Sequence, residues 1–174
     1  MDSLYSRYAG ALLSIAIEEN KIEVYRNKIK VWKNLIMENQ DLIHLFSSYF
    51  ISKEEKEQII DQLFVEEEEN IKNFIKVIVQ NKRANSILKI FDEFISECNE
   101  KLEISEGIVY SVEKLSKEQL DALEKNLSIR LNSKVELVNL IDERLIGGLK
   151  VVVKDKIFDG SIKNKLEKLK ESLM

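Results

Sequence analysis

The sequence predicts a mainly α-helical protein, in which an N-terminal six-helix bundle is followed by a small α+β domain of order β-α-β-β-α. Proline is absent and glycine occurs five times in 174 residues, a composition that favours long uninterrupted helices. Apolar residues recur every three to four positions up to about residue 103, and the period becomes two after residue 105. We therefore expect a domain boundary near residue 105, with domains over 1–105 and 106–174.

The first half of the chain is predicted to form six helices. Ser52 is followed by Lys53, Glu54 and Glu55, the Ser-x-x-Glu form of a capping box that opens a helix. The acidic run 66–69 places negative charge at the positive end of the fifth helix. The expected helices cover residues 2–18, 21–38, 40–48, 53–63, 69–80 and 84–103.

Two of these helices carry apolar stripes that are typical of core faces. The second helix carries Ile22, Tyr25, Ile29, Trp32 and Ile36, and the sixth carries Ile87, Phe91, Phe94, Ile95, Cys98 and Leu102. Trp32 and Cys98 are therefore interpreted as packing residues. His44, the one histidine, has no neighbour at metal-ligand spacing and is interpreted as an ordinary helix residue. We expect neither a metal nor a cofactor.

The second half alternates apolar and polar residues, which indicates strands around a helix. Ser116 and Gln119 form a second capping box, and the helix that follows turns inward Leu120, Leu123, Leu127 and Leu131. Strands are expected near 108–112, 134–140 and 146–153, with a short return at 156–158 after a tight turn at Lys154 and Asp155. Ser161 or Asp159 caps a last helix with the stripe Ile162, Leu166, Leu169 and Leu173.

Three of the five glycines lie in one stretch, Gly147, Gly148 and Gly160, which raises the question of a phosphate loop. Such a loop needs Gly-x-x-x-x-Gly-Lys-Ser/Thr at the start of a helix, and a dinucleotide site needs Gly-x-Gly-x-x-Gly. Neither spacing is present, and the glycine pair leads into the strand-like Leu149–Val153. We interpret Gly147, Gly148, Asp159, Gly160 and Ser161 as structural turns.

Charge and composition exclude several classes of function. The net charge is −4, and the two halves carry −5 and +1, without the basic excess that nucleic-acid binding requires. A single cysteine cannot form an intrachain disulfide, so a reducing cytoplasm fits. The N-terminus does not resemble a signal peptide and no apolar run is long enough to span a membrane. Any membrane association is expected to go through partners.

The first helix has more apolar surface than the edge of a bundle requires. Its apolar residues cover roughly two-thirds of a helical wheel, whereas a surface helix needs a stripe only somewhat over 100° wide. Such a helix is either central to its own domain or docked on two sides. In the fifth helix, Val77 lies about 120° from the centre of the core stripe. It is either one ordinary exposed valine or part of an apolar groove that receives a helix from another chain.

Three segments of the chain carry a resemblance to a known family. They are YAGALLSIA at 8–16, FIKVIVQNKRA at 74–84 and IGGLKVVVKDKIFDGSIKNKLEKL at 146–169. Together they resemble the delta subunit of bacterial F-type ATP synthase, the oligomycin-sensitivity-conferring protein (OSCP) family, over nearly the whole chain. One departure is the hairpin, where family members often have a glycine before the aspartate and this chain has Lys154.

The resemblance implies a six-helix N-terminal domain, a small β/α C-terminal domain and two partners. The first and fifth helices of the family receive the N-terminal helix of an alpha subunit, which carries over to Tyr8, Ala11, Leu12, Ile15 and Val77. The C-terminal domain holds the end of the b-subunit stalk, which carries over loosely to residues 145–173, with Leu166, Leu169 and Leu173 as candidates.

The expected function is therefore that of a non-catalytic stator subunit, bound peripherally at the cytoplasmic side of a bacterial membrane, which couples proton translocation to ATP synthesis. Three alternatives remain from other classes. A free-standing helical adaptor could use the same groove but would not copurify with the ATPase head. A nucleotide-using enzyme would need convergent catalytic groups, and a nucleic-acid binder would need basic charge.

Overall fold

The computed structural model describes residues 4–65 and 67–172, with side chains for all of these except 167–169, 171 and 172. The chain divides into two compact units, Met1–Leu102 and Glu103–Met174. Each unit has its own hydrophobic core.

Six α-helices form the described part of the N-terminal unit, as the apolar period predicted. The sixth helix begins three residues later than expected because Ala84–Ser86 form a 3-10 turn. The predicted capping box of the fourth helix is confirmed, since the Ser52 hydroxyl accepts from the Glu55 amide and the Glu55 carboxylate accepts from the Ser52 amide. The helices are α1 Leu4–Glu18, α2 Ile22–Glu38, α3 Asp41–Ser47, α4 Lys53–Leu63, α5 Glu69–Gln80 and α6 Ile87–Lys101.

The core of this unit contains the predicted stripes of α2 and α6 except at their ends, where Ile22 is only partly buried against the core and Leu102 lies outside it as the half-buried C-cap of α6. Trp32 is buried and stacks on Phe64 with ring centroids 3.2 Å apart, which confirms it as a packing residue. Cys98 is fully buried, and burial raises the pKa of its thiol to about 12, so the side chain stays neutral at physiological pH. His44 lies in α3, as expected of an ordinary helix residue.

One buried charge was not foreseen from the sequence. Arg26 of α2 is fully buried, and its Nε donates a hydrogen bond to Oδ1 of Asn99 on α6 at 2.5 Å. A buried guanidinium must be satisfied by hydrogen bonds to be tolerated. This contact therefore fixes α2 and α6 in one relative position.

The C-terminal unit is a four-stranded sheet with two helices. The short return at 156–158 proves to be a full strand, so the order is β-α-β-β-β-α and not β-α-β-β-α. The second capping box is confirmed at Ser116 and Gln119. The elements are β1 Ile104–Ser111, α7 Lys117–Leu131, β2 Lys134–Ile141, β3 Leu149–Val153, β4 Lys156–Asp159 and α8 Ile162–Ser172.

The strand order across the sheet is β2-β1-β3-β4. β1 and β2 are parallel and joined through α7, while β1–β3 and β3–β4 are antiparallel. β1 begins at Ile104, earlier than expected, because Glu103 takes a left-handed φ of 54° directly after α6 and lets the chain leave the helix. One face of the sheet packs against α7 through Val109, Leu127, Val135, Leu137, Val151 and Val153.

The β3–β4 hairpin closes through Lys154 and Asp155. Lys154 has a φ of 50°, in the left-handed region that glycine occupies most easily. The lysine at this position therefore keeps the tight turn, at a small conformational cost.

The outer edge of β2 is partly covered by side chains from α7. The Val135 amide donates to Oγ of Ser128 at 2.8 Å, and the Leu137 amide donates to Oε1 of Glu124 at 2.7 Å. Just after β2, the amide of Asp142 donates to the carbonyl oxygen of Ser111 in β1, so this amide points to the β1 side. Because alternate amides of a strand point to opposite edges, these two α7 side chains occupy donors that face away from β1.

Candidate partner-binding surfaces

α1 packs against α6, α2 and α5. Its buried residues are Ala9, Leu12, Leu13 and Ala16. A polar contact also joins α1 to α6, where the Ser6 hydroxyl donates to Oε1 of Glu97 at 3.2 Å. Burial is the largest cause of the raised pKa of Glu97. The inner face of α1 is therefore committed to its own bundle.

The four candidate residues on α1 differ in exposure. Leu12 is 1% exposed and belongs to the core, so its side chain is not available to a partner. Tyr8 and Ile15 are half-buried at the margin of the core, and Ala11 is exposed. Because positions 8, 11 and 15 share one side of a helix, α1 presents an outward apolar strip of Tyr8, Ala11 and Ile15. We call it the α1 strip.

Val77 is the candidate residue on α5 and is 44% exposed, whereas the buried residues of α5 face the core. The start of α5 is tied to the end of α1. The Asn70 amide group donates to Oε1 of Glu19 at 2.8 Å, and the Tyr25 hydroxyl donates to Oε2 of the same carboxylate at 2.8 Å. Burial is the largest cause of the raised pKa of Tyr25. These contacts hold α2 and α5 against the C-terminal end of α1.

Two of the three candidate stalk-binding residues lie on α8. Leu166 is exposed. Leu169 lies within α8, but its side chain falls outside the described part, and Leu173 lies outside the described residues. Of the three, the structure therefore locates only the side chain of Leu166.

The five residues interpreted as turns join β3, β4 and α8. Gly148 has a φ of 82°, and a Cβ on it would lie 2.5 Å from the carbonyl oxygen of Gly160. The Gly160 amide donates to the carbonyl of Leu149 and the Ile162 amide to the carbonyl of Gly147. These contacts account for Gly148 and Gly160 through close packing of backbone on backbone.

The last two turn residues begin α8. The Ser161 amide donates to Oδ1 of Asp159 at 2.9 Å, and the Ser161 hydroxyl accepts from the Asn164 amide at 3.2 Å. Ser161 therefore acts as the N-cap of α8. Together with the glycine contacts, these hydrogen bonds give the residues at 147–148 and 159–161 roles in the backbone geometry where β3, β4 and α8 meet.

Comparison with known proteins decides the family. The family model for the ATP synthase delta (OSCP) subunit matches residues 4–173. The chain belongs to the ATP synthase delta (OSCP) subunit family. As a delta-type chain it is a non-catalytic stator subunit of F-type ATP synthase. The interpretation as a free-standing adaptor is thereby set aside.

Relatives of this delta-type chain match it from end to end. It is 39% identical to ATP synthase subunit delta of Mycoplasma mobile over 96% of this chain and 93% of that one. It is 31% identical to the Bacillus cytotoxicus subunit delta over 97% and 94%. The fold resembles a chain in the cryo-EM structure of the Toxoplasma gondii mitochondrial ATP synthase hexamer, with a TM-score of 0.70, 18% identity and coverage of 98% and 97%.

Two further observations bear on how a delta-type chain works. Within residues 4–65 and 67–172, every helix is too short or too polar to cross a bilayer. The same residues contain no group of three or more His, Cys, Asp or Glu side chains that could hold a metal ion.

Sequence reasoning missed one surface in the C-terminal unit. The sheet face opposite the one that packs on α7 carries an apolar row that crosses all four strands: Val138, Ile108, Val152 and Ile157 are register partners. The two outer members are 62% and 63% exposed. We call this row the open sheet face. The sequence did carry a signal for this surface. Each strand has apolar residues at both odd and even positions, which predicts apolar side chains on both faces of the sheet.

Proposed function

We propose that this chain joins an alpha subunit to the b-subunit stalk of an F-type ATP synthase. The N-terminal unit binds the N-terminal helix of the alpha subunit, and the C-terminal unit binds the C-terminal end of the stalk. In this role the chain keeps the catalytic head from turning with the rotor, so that proton translocation drives ATP synthesis. The complex then lies at the cytoplasmic side of a bacterial membrane, and the chain is held there through its partners.

The observation that carries this proposal is the apolar surface that α1 and α5 leave uncovered. α1 buries Leu12 in its own core and still presents the α1 strip outward. α5 adds Val77, which is 44% exposed. An amphipathic helix is recognised by anchors at i, i+3, i+4 and i+7 in an apolar groove of this kind. The occupant that fits is a partner helix with aliphatic or aromatic anchors.

The load on such a joint sets the affinity that it needs. A stator contact must hold while the rotor exerts torque, and nanomolar binding corresponds to about −12 kcal/mol. A few buried aromatic or aliphatic anchors supply most of the energy in interfaces of this strength. Tyr8 is the strongest candidate on α1, because its ring is half-buried against the core and fixed in place.

The alpha-subunit site is tested by calorimetric titration of the full chain with a peptide of the alpha-subunit N-terminus from the same organism. Ala11→Asp places an unpaired charge in the interface and is expected to weaken binding at least about tenfold. Tyr8→Ala removes an anchor and has a similar effect. Ile17→Asp is the matched control, because Ile17 is 43% exposed and lies about 120° from Ala11 around the axis of α1.

Circular dichroism shows that each variant keeps its helices. Equal affinity in Ala11→Asp, Tyr8→Ala and the unaltered chain would remove the α1 strip from the interface. Equal loss in Ile17→Asp would show a general effect of charge on α1 instead.

The stalk site is tested by pull-down of a peptide from the C-terminal end of the b stalk with the full chain. Leu166 and the open sheet face are two exposed apolar surfaces that the stalk helix can cover. Leu166→Asp and Val138→Asp each place a charge on one of them, and the variant that loses the b peptide identifies the surface used. Lys163→Asp is the control on α8, since Lys163 is exposed. Retention of the b peptide by both aspartate variants would refute the proposed stalk site.

A further inference from the structure

A cleft in the N-terminal unit lies apart from the α1 strip. It has a volume of about 430 Å³ and lies between the end of α3, the segment 48–52, α4, α5 and the turn after α5. Val79 of α5 lines the cleft, and Val77 does not. Residues two apart on a helix point about 160° away from each other. Lys76 and Gln80 of α5 also line the cleft and lie nearer to Val77, so the cleft and the proposed alpha-subunit surface use different but adjoining sides of α5.

The floor of the cleft is apolar. Phe46, Ile60 and Val79 line it and are all buried in the core of the unit. The ring of Tyr49 stands at the rim and is 84% exposed. Small-molecule sites combine such an apolar floor with a few polar groups, in volumes of about 300–1,000 Å³.

The rim of the cleft is basic. Its charged lining residues are the lysines at positions 53, 56, 76 and 82 and the glutamate at position 57. Two of the lysines have acidic partners: Lys76 pairs with Asp61 at 2.6 Å, and Lys53 lies 3.8 Å from Glu57. The carboxylate of Glu57 also accepts from the Gln80 side chain at 2.5 Å.

The other two lysines have neutral partners. Lys56 donates from Nζ to the carbonyl oxygen of Ser48 at 2.6 Å, and Nζ of Lys82 lies 5.6 Å from the centroid of the Tyr49 ring. Among the described residues, neither lysine has a carboxylate within ion-pair distance. They come from different walls of the cleft, α4 and the turn after α5. Two ammonium groups that share one cleft without an anion attract a ligand with negative charge.

We propose that this cleft binds a small organic anion with at least two negative charges and a flat apolar body, the chemistry of a nucleoside diphosphate. Lys56 and Lys82 bind the phosphates, since lysine acts as a point charge toward phosphate oxygens. The exposed Tyr49 ring stacks on the flat body, and the apolar floor excludes water beneath it. The inference does not depend on either partner site of the stator.

The test is a calorimetric titration of the full chain with ADP, with inorganic pyrophosphate and with adenosine as separate probes. We expect ADP to bind more tightly than either fragment, and added salt to weaken its binding. Lys56→Met and Lys82→Glu are each expected to lower the affinity for ADP at least about tenfold. Tyr49→Ser is expected to lower the affinity for ADP and to leave that for pyrophosphate unchanged.

Lys89→Glu is the matched control for Lys82→Glu. Lys89 lies on α6, and its Nζ is 5.9 Å from the ring centroid of Tyr5, so the pair has the same geometry outside the cleft. This variant is expected to bind ADP as the unaltered chain does.

Three outcomes would overturn the inference. One is no heat with ADP at concentrations up to about 1 mM, the weak end of specific binding. Another is equal loss in Lys82→Glu and Lys89→Glu, which would reflect net charge alone. The third is equal affinity for pyrophosphate and ADP with no effect of Tyr49→Ser, which would mean an inorganic anion without a flat body.

Discussion

The two units of the chain bury apolar side chains to very different extents. Among the described residues, the core of the N-terminal unit contains 23 buried apolar side chains, and that of the C-terminal unit contains 6. The six helices enclose their core from all sides, whereas the sheet packs on α7 through one face and leaves an apolar row on the other. Because it buries fewer apolar side chains, the C-terminal unit is expected to be the less stable of the two.

We expect the largest loss of stability when one core residue of each unit is truncated to alanine. Phe91 and Val109 are both fully buried. Phe91→Ala should cost about 3–5 kcal/mol, and Val109→Ala about 2 kcal/mol. Amide hydrogen exchange measured separately in α6 and β1 gives the loss in each unit. We expect Val109→Ala to remove protection from the whole C-terminal unit and Phe91→Ala to leave the N-terminal unit folded. The reverse result would show that the C-terminal unit is the more stable one.

The next effect concerns the backbone contact that holds the end of the sheet. Gly148→Ala puts a methyl group 2.5 Å from the Gly160 carbonyl at a φ of 82°, so a loss of about 2 kcal/mol or more is expected. Gly147→Ala is the control, because its methyl group would meet only the flexible end of Ile162, at 2.7 Å. Urea unfolding of both variants measures the difference. Equal losses would show that the sheet end does not rely on this one contact.

A smaller loss of stability is expected from changes in the two capping boxes, one in each unit. Ser52→Ala and Ser116→Ala each remove the hydroxyl that accepts from the third residue of the helix. Each change should cost about 1 kcal/mol. If the C-terminal unit is the less stable one, the Ser116 variant will lower the melting temperature of its own unit by more degrees. Thermal unfolding monitored by amide hydrogen exchange in each unit gives the two melting temperatures separately.

The smallest effect is the pH dependence that distinguishes these boxes. Hydrogen bonds from the Ser52 amide, and then from its hydroxyl, lower the pKa of Glu55 below its ordinary value of 4.5. A lowered pKa in the folded state stabilises the fold above the ordinary value, and this contribution is lost as the pH falls through the lowered one.

Glu55→Gln gives the first box the amide chemistry that Gln119 gives the second. The variant should therefore lose part of the acid sensitivity of the N-terminal unit. Unfolding curves between about pH 5 and pH 2 check the change. An unaltered pH profile would mean that protonation of Glu55 is not coupled to folding.

Much of the fold could be predicted from the sequence. Helical period, capping residues and the change of period near residue 105 depend on local spacing, and all six N-terminal helices follow from them. The burial of Arg26 could not be predicted, because its partner Asn99 is 73 positions away. The start of β1 was missed because it depends on the left-handed backbone of Glu103.

The surfaces were harder to predict than the elements. A helical wheel places Tyr8, Leu12 and Ile15 on neighbouring positions of α1, but only packing against other helices decides that Leu12 is covered and that the other two lie at the margin. The open sheet face was missed for the same reason, because packing decides which face of the sheet is covered. Its strands are apolar at both parities, so the sequence does not say which face meets α7.

The two α7 side chains on the edge of β2 have a consequence for the protein before it is assembled. A newly made chain with an unprotected strand edge can recruit the same strand of another chain and grow into insoluble polymers. Ser128 and Glu124 occupy the outward amides of Val135 and Leu137, so these two donors are not available to a strand of a second chain. We therefore expect the two side chains to limit strand addition at this edge while the subunit is unassembled.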